Sequence, residues 1–440
     1  MARWSRPSGW SSSPRASCGG TDSCRGLSSR DLCPVTVVVP CAAQKGTPGP
    51  DGARGRVSPL SETLSDPDSV AVFRPVVFVR TRSSRMEGKG ARLIRVVCRM
   101  ELGVTSFAET IPSHGDLIGH GERLRQIVEE VEVAEASGLQ VYGLGEHHRP
   151  DFASSAPAVV LAAAAGRTST IRLFPAVSIL STDDPVRVFQ QYVTLDMVSS
   201  GRAELLVGRG SFIESFPLFG YRLDDYDELF AEKLDLLLQI RDSGSEEIDW
   251  SGRFRPPIQA QGIYPRPERE LSIRVAVGGT PQSIVRAATR GLPVALAIIG
   301  GSPDRFAHLA DLYRQTLRDS GHDPDELPLS VHAHGYISDS NDQAAQEYYG
   351  SYAAAMTRIG RERGWGPMTK EQFEWMRSDE GSLVLGDVET VAAKIIRWKE
   401  VLGIERFELH VSVGTMPHEK VLRSIELLGT KVAAIVNAAG

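Results

Sequence analysis

The sequence predicts an α/β fold, namely a (β/α)8 TIM barrel with an excursion after strand seven. The prediction depends on two observations. From Met100 onward, short apolar runs alternate eight times with segments of helical period. Strands that alternate with helices favour a parallel sheet covered on both faces, and eight units in about 340 residues fit a closed barrel better than an open sheet.

The predicted strands are distributed along this whole region. Helical spacing is clearest after the first strand, where Leu124, Ile127 and Val131 recur every three or four residues and Gly138 can end the helix. The eight predicted strands cover residues 102–107, 139–144, 171–180, 203–208, 273–277, 293–299, 329–337 and 407–413.

Capping residues followed by proline mark the starts of several predicted helices. Asp184 and Pro185 form such a pair, and Thr280–Pro281 and Ser302–Pro303 repeat it. Further helices are predicted from near Pro157, over about 225–241, from near Asp387 and from about 417.

Two connections are longer than a minimal strand-helix unit needs. One covers 242–270, and the other runs from about 339 to 386, after strand seven. Connections of this length in a compact domain are usually functional or disordered. The second contains RERGWGPMTKEQFEWM, and we expect it to form a lid over the barrel mouth.

Residues 1–99 differ from the rest of the chain, and we assign the barrel domain to residues 100–440. The first 99 residues hold 16 Lys and Arg against 7 Asp and Glu, are rich in Ser, Pro and Gly, and show no sustained period. An Arg- and Ser-rich, acid-poor leader can be a transit peptide. We expect instead a disordered extension, or upstream sequence translated from a misplaced start.

Composition argues against several partners. A net charge of -6 gives no reason to expect nucleic acid or an anionic membrane. No apolar run approaches the roughly 18 residues of a membrane helix. None of the five cysteines lies beyond Cys98, so the barrel region has neither disulfides nor thiolate metal ligands, and we expect a cytoplasmic protein.

Polar side chains follow the predicted strand ends, where (β/α)8 barrels carry their active sites. Strand two leads into GEHHRPDF, which contains Glu146, His147 and His148. A polar loop with incidental histidines, a metal site and a polar floor beside a cofactor are all compatible with this stretch.

A phosphate site is predicted at the ends of strands four and five. Strand four ends in GRGS, where Gly210 allows close backbone approach and Arg209 offers a bidentate grip on phosphate. Strand five ends in VGGTPQS, so Gly279 precedes a helix start with the hydroxyls of Thr280 and Ser283. The alternative is a plain N-cap and a surface ion pair. The two features on neighbouring strands together favour the phosphate site.

Three further histidines, His332 and His334 on strand seven and His410 on strand eight, also reach the mouth. Zinc barrels use His-x-His at strand ends, but no bridging lysine or cysteine is evident here, so we predict no metal. These histidines can equally be satisfied polar groups of the barrel lining. No G-x-G-x-x-G motif follows a strand and no P-loop occurs, which argues against a Rossmann-bound dinucleotide.

Five segments resemble the bacterial luciferase-like family of flavin-dependent monooxygenases. They occur in the family's order between Met100 and about residue 436, and the resemblance implies a (β/α)8 barrel that holds reduced FMN at its mouth. The segments are GEHHRPDF, IRLFPAVSILSTDDPVRVFQQ, LLVGRGSFIESFPLFG, VGGTPQSIVRAATRG and VLGDVETVAAKI.

The resemblance also implies roles for individual residues. Arg209 resembles the family's phosphate-binding arginine, and Thr280 and Ser283 resemble its hydroxyl ligands. His147 resembles the histidine credited with acid-base work, for which an unperturbed pKa near working pH is suitable. Ala176–Val177 matches the position of a non-prolyl cis peptide beneath the flavin ring.

Two positions at the mouth qualify the resemblance. Glu146 can orient an imidazole or a partner across the mouth, and we include it with His147 among the catalytic candidates. Gly208 stands where luciferase has a reactive cysteine. Light emission and a long-chain aldehyde substrate are therefore not implied.

The function that the resemblance implies is a monooxygenase that uses reduced FMN and O2 to oxidise a small organic substrate, with a separate flavin reductase as partner. Two alternatives stay open. Enzymes of the same fold use the deazaflavin F420 for hydride transfer, and a non-catalytic flavin-binding barrel would be a different class. A homodimer is possible, because barrels of this family often pair.

Overall fold

The structure is a computed structural model that describes residues 99–110, 118–210, 212–414 and 416–439. The predictions for residues 1–99 lie outside the described residues, Arg99 aside, and the domain boundary at 100 stays a prediction. The strands are β1 (Glu101–Ser106), β2 (Val141–Leu144), β3 (Arg172–Pro175), β4 (Ser178–Ile179), β5 (Leu205–Gly208), β6 (Ile248–Trp250), β7 (Ile258–Gln261), β8 (Ile273–Val277), β9 (Val294–Ala297), β10 (Leu329–Ile337), β11 (Val384–Gly386) and β12 (Arg406–His410).

The main sheet closes into a parallel barrel. Its strands pair in the order β3, β2, β1, β12, β10, β9, β8, β5 and β4, and each pairing is parallel. The two ends of this order, β3 and β4, are halves of the third predicted strand, and Leu173 also bridges Ala203 ahead of β5. The predicted (β/α)8 barrel is confirmed.

Helices follow the strands and cover the barrel. Asp184 caps one of them as predicted, because its carboxylate accepts a hydrogen bond from the Val186 amide. The helices are α1 (His120–Ala136), α2 (Pro157–Ala165), α3 (Pro185–Val198), α4 (Ser215–Leu218), α5 (Tyr226–Asp242), α6 (Pro281–Thr289), α7 (Ala307–Asp319), α8 (Asn341–Arg363), α9 (Lys370–Arg377), α10 (Val388–Leu402), α11 (His418–Leu427) and α12 (Ala433–Ala438). In the described ranges no helix is both long and apolar enough to cross a membrane.

The third strand differs from its prediction as one continuous strand over 171–180. It is interrupted between Pro175 and Ser178, at the Ala176–Val177 peptide bond, which is cis. The cis bond implied by the resemblance is thus present. Its position beneath a flavin ring stays a prediction.

The two long connections are ordered elements. Residues 242–270 contain the antiparallel hairpin of β6 and β7. The connection after β10 contains α8 and α9 and returns through β11, which pairs with β10. Tyr348, Tyr352 and Ala355 bury one face of α8. The expected lid is therefore formed by helices α8 and α9, which we call the helical cover.

A buried ionic network fills the end of the barrel where the strands begin. Arg406 Nη1 lies 2.6 Å from Glu204 Oε2, and Arg274 Nη2 lies 2.8 Å from Glu408 Oε1. Burial alone would raise the pKa of Glu204, but Arg406, Arg274 and Arg172 lower it to about 2. This end is packed with paired charges, which leaves the opposite end for a ligand.

Candidate active site

A cavity of about 560 Å³ opens where the barrel strands end, a volume typical of small-molecule and cofactor sites. Predicted site residues on its wall are Glu146, His147, Ala176, Val177, Arg209 and Gly210. The helical cover contributes Tyr352, Ala355, Met356, Ile359, Arg363, Trp365, Met368 and Met376. The cover therefore forms one side of the cavity.

His147 lies in a cage of phenyl rings. Its ring centroid is 4.2 Å from that of Phe152 and 5.1 Å from those of Phe107 and Phe212. Its Nδ1 is buried without a hydrogen-bond partner among the described residues. Burial, aided by the nearby His410, Arg149 and His148, lowers the pKa of His147 to about 3.

This pKa separates His147 from a free imidazole, whose unperturbed pKa near working pH suits acid-base work. Three aromatic rings exclude the water that would stabilise an imidazolium. His147 is therefore a neutral imidazole at neutral pH, with one N–H and one lone-pair nitrogen. It can donate and accept hydrogen bonds, but a pKa of about 3 makes it a weak base.

Glu146 joins the ends of the second and third predicted strands. Its Oε1 lies 3.0 Å from His148 Nε2, and its Oε2 accepts a 3.1 Å hydrogen bond from the Ile179 amide in β4. The ring of His148 also meets Phe219 edge-on, at 4.9 Å. Glu146 thus orients His148, one of the two adjacent imidazoles, and braces the backbone beyond the cis peptide bond.

Arg209 is the centre of a polar cluster at one side of the mouth. Its Nη2 donates a 3.2 Å hydrogen bond to Ser283 Oγ, which lies 2.8 Å from Thr280 Oγ1. Its Nη1 pairs with Asp227, and the ring of Tyr226 lies 5.0 Å from its guanidinium carbon. One guanidinium and two hydroxyls therefore stand together, and Arg209 also forms the ion pair that the alternative interpretation expected.

The turn after β8 brings its predicted residues to this cluster. Gly279 has a φ of 113°, a conformation that favours glycine. Thr280 precedes α6 without a side-chain capping bond, so its hydroxyl faces Ser283 instead. Gly279, Thr280 and Ser283 adjoin Arg209 but do not themselves line the cavity, unlike Gly278.

The three late histidines form a linked group across the cavity from the Arg209 cluster. Thr105 Oγ1 lies 3.2 Å from His410 Nδ1 and 3.3 Å from His332 Nε2. His334 packs perpendicular to His410, with 4.8 Å between ring centroids. Burial lowers the pKa of His332 to about 3 and that of His334 in the same direction. Both are therefore neutral at neutral pH.

Glu109 is a functional candidate that the sequence analysis missed. Its Oε1 lies 3.1 Å from His410 Nε2, and its side chain is buried beside the cavity. Glu109 follows the end of β1 by three residues, and polar side chains just beyond a strand end reach the mouth of such a barrel, so its position could have indicated this residue.

Metal coordination finds no support in the geometry. Where the structure describes the chain, no group of three His, Cys, Asp or Glu side chains is arranged to hold a metal ion. The three histidines contact Thr105, Glu109 and one another through single hydrogen bonds and ring packing.

The fold and the cavity define a TIM-barrel enzyme whose site suits a mostly apolar ligand with an anionic group. A family model of luciferase-like monooxygenases matches residues 100–405. The chain therefore belongs to the luciferase-like monooxygenase family.

Two curated relatives illustrate the range of similarity. A protein of Sinorhizobium fredii, y4vJ, is 25% identical over 71% of this chain and 92% of its own length. The alkanal monooxygenase alpha chain of the Kryptophanaron alfredi symbiont is 26% identical over 51% of this chain and 62% of its own length. The match to the alkanal monooxygenase thus covers less than two thirds of that protein.

Solved structures share the fold at low identity. Monooxygenase RslO1 from Streptomyces bottropensis has a TM-score of 0.66 at 22% identity, over 76% of this chain and 98% of that one. The oxygenating constituent of 3,6-diketocamphane monooxygenase from Pseudomonas putida was solved with FMN. Its TM-score is 0.61 at 18% identity, over 76% of this chain and 98% of that one. An F420-dependent secondary alcohol dehydrogenase has a TM-score of 0.60 at 16% identity, over 77% of this chain and 99% of that one.

Proposed function

We propose that this protein is a flavin-dependent monooxygenase that uses reduced FMN and O2 to oxidise a small organic substrate. The observation that carries the proposal is the cluster of Arg209, Ser283 and Thr280 at the edge of a 560 Å³ cavity. A terminal phosphate suits one guanidinium with two adjacent hydroxyls, and the apolar cavity suits the isoalloxazine ring.

The residues present fit FMN in two places. Arg209 would hold the phosphate together with Ser283 and Thr280. Ala176 and Val177 would support the ring, because both line the cavity between Glu146 and the Arg209 cluster. When bound, reduced FMN supplies the two electrons that activate O2.

The chain's own residues supply positioning, proton transfer and exclusion of water. His147 is the proposed proton-transfer group, because its buried Nδ1 has no other partner in the described part of the chain. Its lowered pKa means that any proton it takes up is readily passed on. Glu146 is a positioning residue, since both carboxylate oxygens are engaged by His148 and Ile179. The cover formed by α8 and α9 keeps water from the cavity.

F420-dependent hydride transfer is the second candidate, because a structure with this fold carries an F420 adduct. The Arg209 cluster favours FMN, whose phosphate is terminal and doubly charged, over F420, whose phosphate is an internal diester. A non-catalytic flavin-binding barrel is the third candidate. The presence of polar groups at the ends of the second, fourth and fifth predicted strands argues against it.

Partners and location form a further part of the proposal. The lack of a G-x-G-x-x-G motif supports a separate flavin reductase. Val159 on α2 and Met197 and Val198 on α3 are 70%, 45% and 62% exposed, which supports a homodimer across these two helices. The absence of cysteine after Cys98 supports a cytoplasmic location.

Anaerobic titration with reduced FMN and, in parallel, with reduced F420 tests the cofactor. We expect saturable binding of reduced FMN, and weaker binding of reduced riboflavin, which lacks the phosphate. Tighter binding of reduced F420 than of reduced FMN would overturn the FMN proposal in favour of hydride transfer. Binding of FMN without any oxidation of a substrate panel would favour the non-catalytic barrel.

A further inference from the structure

We infer that Glu109 and His418 form a proton passage between the active-site cavity and solvent, on the side of the barrel covered by α1 and α11. The inference rests on the proposed function, because a flavin monooxygenase needs protons delivered to a closed site. It assigns a role to Glu109 that is separate from the role proposed for His147.

Glu109 begins the passage at the cavity wall. Its side chain is 4% exposed, and its Oε1 is occupied by His410 Nε2 at 3.1 Å. Its Oε2 is buried without a hydrogen-bond partner in the ranges that the structure describes. An unpartnered buried carboxylate oxygen is costly, so a group that the described residues do not supply is expected to pair with it.

A second, much smaller cavity lies behind Glu109. It measures about 10 Å³, close to the least that one water molecule requires. Glu109 lines both cavities, so its carboxylate separates the small cavity from the large one. The polar residues around the small cavity are Glu109, Arg123, Gln126, Ser412 and His418.

His418 lies on the outer side of the small cavity. Its Nδ1 is also buried without a hydrogen-bond partner among the described residues, although Glu130 Oε1 is 3.8 Å away. Its Nε2 lies 3.0 Å from Oε2 of Glu129, which is 55% exposed. One ring nitrogen therefore faces the small cavity and the other faces the surface, an arrangement suited to a proton shuttle.

A single water in the small cavity would pair both unpartnered atoms at once. It would accept from or donate to His418 Nδ1 and donate to Glu109 Oε2. Arg123 holds the cavity wall in place, because its Nη2 contacts Ser106 Oγ at 3.0 Å and Ser412 Oγ at 3.3 Å. The route is then solvent, His418, water, Glu109 and the active-site cavity.

The chemistry of the proposed reaction requires one proton from solvent when reduced FMN enters as its monoanion. The anion, one proton, O2 and substrate give oxidised FMN, oxygenated substrate and water. One oxygen atom forms the new bond to the substrate, and the other leaves as water with the proton and the hydride equivalent of the flavin. His147 is caged by Phe107, Phe152 and Phe212, so delivery through Glu109 supplies the proton that His147 lacks.

The first test uses no cofactor. A high-resolution crystal structure of the full chain should show an ordered water within hydrogen-bonding distance of both Glu109 Oε2 and His418 Nδ1. A dry cavity, or a protein group that pairs with either atom in place of water, would contradict the passage. This outcome does not depend on whether the protein binds flavin.

The second test follows oxidation of protein-bound reduced FMN by O2 in weak buffer. We expect His418→Ala to slow the oxidation about tenfold or more, and imidazole in the buffer to restore it. Glu109→Gln should slow it without rescue by imidazole, because the lost carrier lies inside the protein. His418→Gln keeps a polar group but cannot carry a proton, so it should behave as His418→Ala does.

The exposed His308 on α7, which lines neither cavity, provides the control, and His308→Ala should leave the rate unchanged. Unslowed oxidation in folded His418→Ala would overturn the passage. Failure of the wild-type protein to bind reduced FMN would contradict the proposed function instead, and the ordered water would then decide the passage alone.

Discussion

The side chain of Val177 occupies the space that any side chain at position 208 would need. A Cβ added to Gly208 would lie 2.8 Å from Val177 Cγ2, closer than carbon atoms approach in proteins. Val177 follows the cis peptide bond and lines the cavity. Luciferase has a cysteine at the position of Gly208. Here only glycine leaves room for the side chain of Val177, which lies between β3 and β4.

Replacing Gly208 should damage the site through Val177. Gly208→Cys would push Val177 into the cavity, at a cost of about 1–3 kcal/mol. We expect FMN affinity to fall tenfold or more, as measured by flavin fluorescence titration. Gly119→Ala is the control, because a Cβ at Gly119 meets nothing within 4 Å. Unchanged FMN binding in Gly208→Cys would show that Val177 does not limit the ring site.

Arg209 should discriminate FMN from riboflavin. Arg209→Ala removes the guanidinium that would grip the phosphate, so FMN affinity should fall about 10- to 100-fold while riboflavin affinity stays the same. Isothermal titration with both ligands measures the difference. Arg222→Ala removes an exposed arginine that pairs with Asp224 and should change neither affinity. An equal loss for FMN and riboflavin would argue against a phosphate contact.

Acid should destabilise the protein through its buried histidines. The pKa of His332 falls from 6.5 to about 3 on folding, so between these values the unfolded chain binds a proton that the native state does not. The free energy of unfolding is therefore unaffected by this group above about pH 6.5 and decreases as pH falls toward 3, by up to about 1.4 kcal/mol per pH unit for each such histidine.

Urea unfolding at pH 7.5, 6.5 and 5.5 measures this slope. His332→Asn should make the slope smaller, because asparagine does not titrate. His308→Asn, at an exposed position on α7, should leave it unchanged. Equal slopes in the wild type and His332→Asn would mean that folding does not lower the pKa of His332.

Two salt bridges connect helix α8 of the cover to the loop that carries His147. Arg149 reaches both carboxylate oxygens of Glu362 on α8, at 2.6 and 2.5 Å, and Arg358 of the same helix lies 2.9 Å from Asp151. Glu362→Gln should loosen α8, because it removes one charge from a two-bond pair. The stability cost is about 1 kcal/mol or less, since Glu362 is half-exposed.

Hydrogen exchange of α8 amides and the FMN dissociation rate measure the effect of Glu362→Gln, and both should rise several-fold. Glu426→Gln breaks the comparable exposed pair with Arg423 on α11 and should leave α8 unaffected. Unaltered exchange in Glu362→Gln would mean that packing alone holds the cover.

Local signals made the barrel predictable from sequence. The Asp184–Pro185 start and the Asp387 cap, whose carboxylate accepts from the Thr390 amide at 2.8 Å, are encoded within a few residues. Arg209 and the α6 start were likewise identified because each stands directly at a strand end. The alternation of apolar runs and helical segments is also visible within short stretches of sequence. The order of strands and helices can therefore be predicted from it.

Long-range packing accounts for what the sequence did not reveal. Glu109 and His410 are 301 residues apart, and they meet because β1 pairs with β12 in the closed barrel. The lowered pKa of His147 depends on phenyl rings from three separate segments. The helix α8 includes Gly350 and Gly360, which weaken its periodic signal, and its burial against the barrel stabilises it.

Oxygen reactivity of the loaded protein distinguishes an FMN-dependent monooxygenase from an F420-dependent enzyme. The protein would be loaded anaerobically with reduced FMN or with reduced F420, mixed with oxygenated buffer, and followed by absorbance. We expect bound reduced FMN to be oxidised with consumption of one O2 per flavin, at a rate different from that of free reduced FMN. Binding of reduced F420 that stays reduced in O2, with no binding of reduced FMN, would show that the protein is not an FMN-dependent monooxygenase.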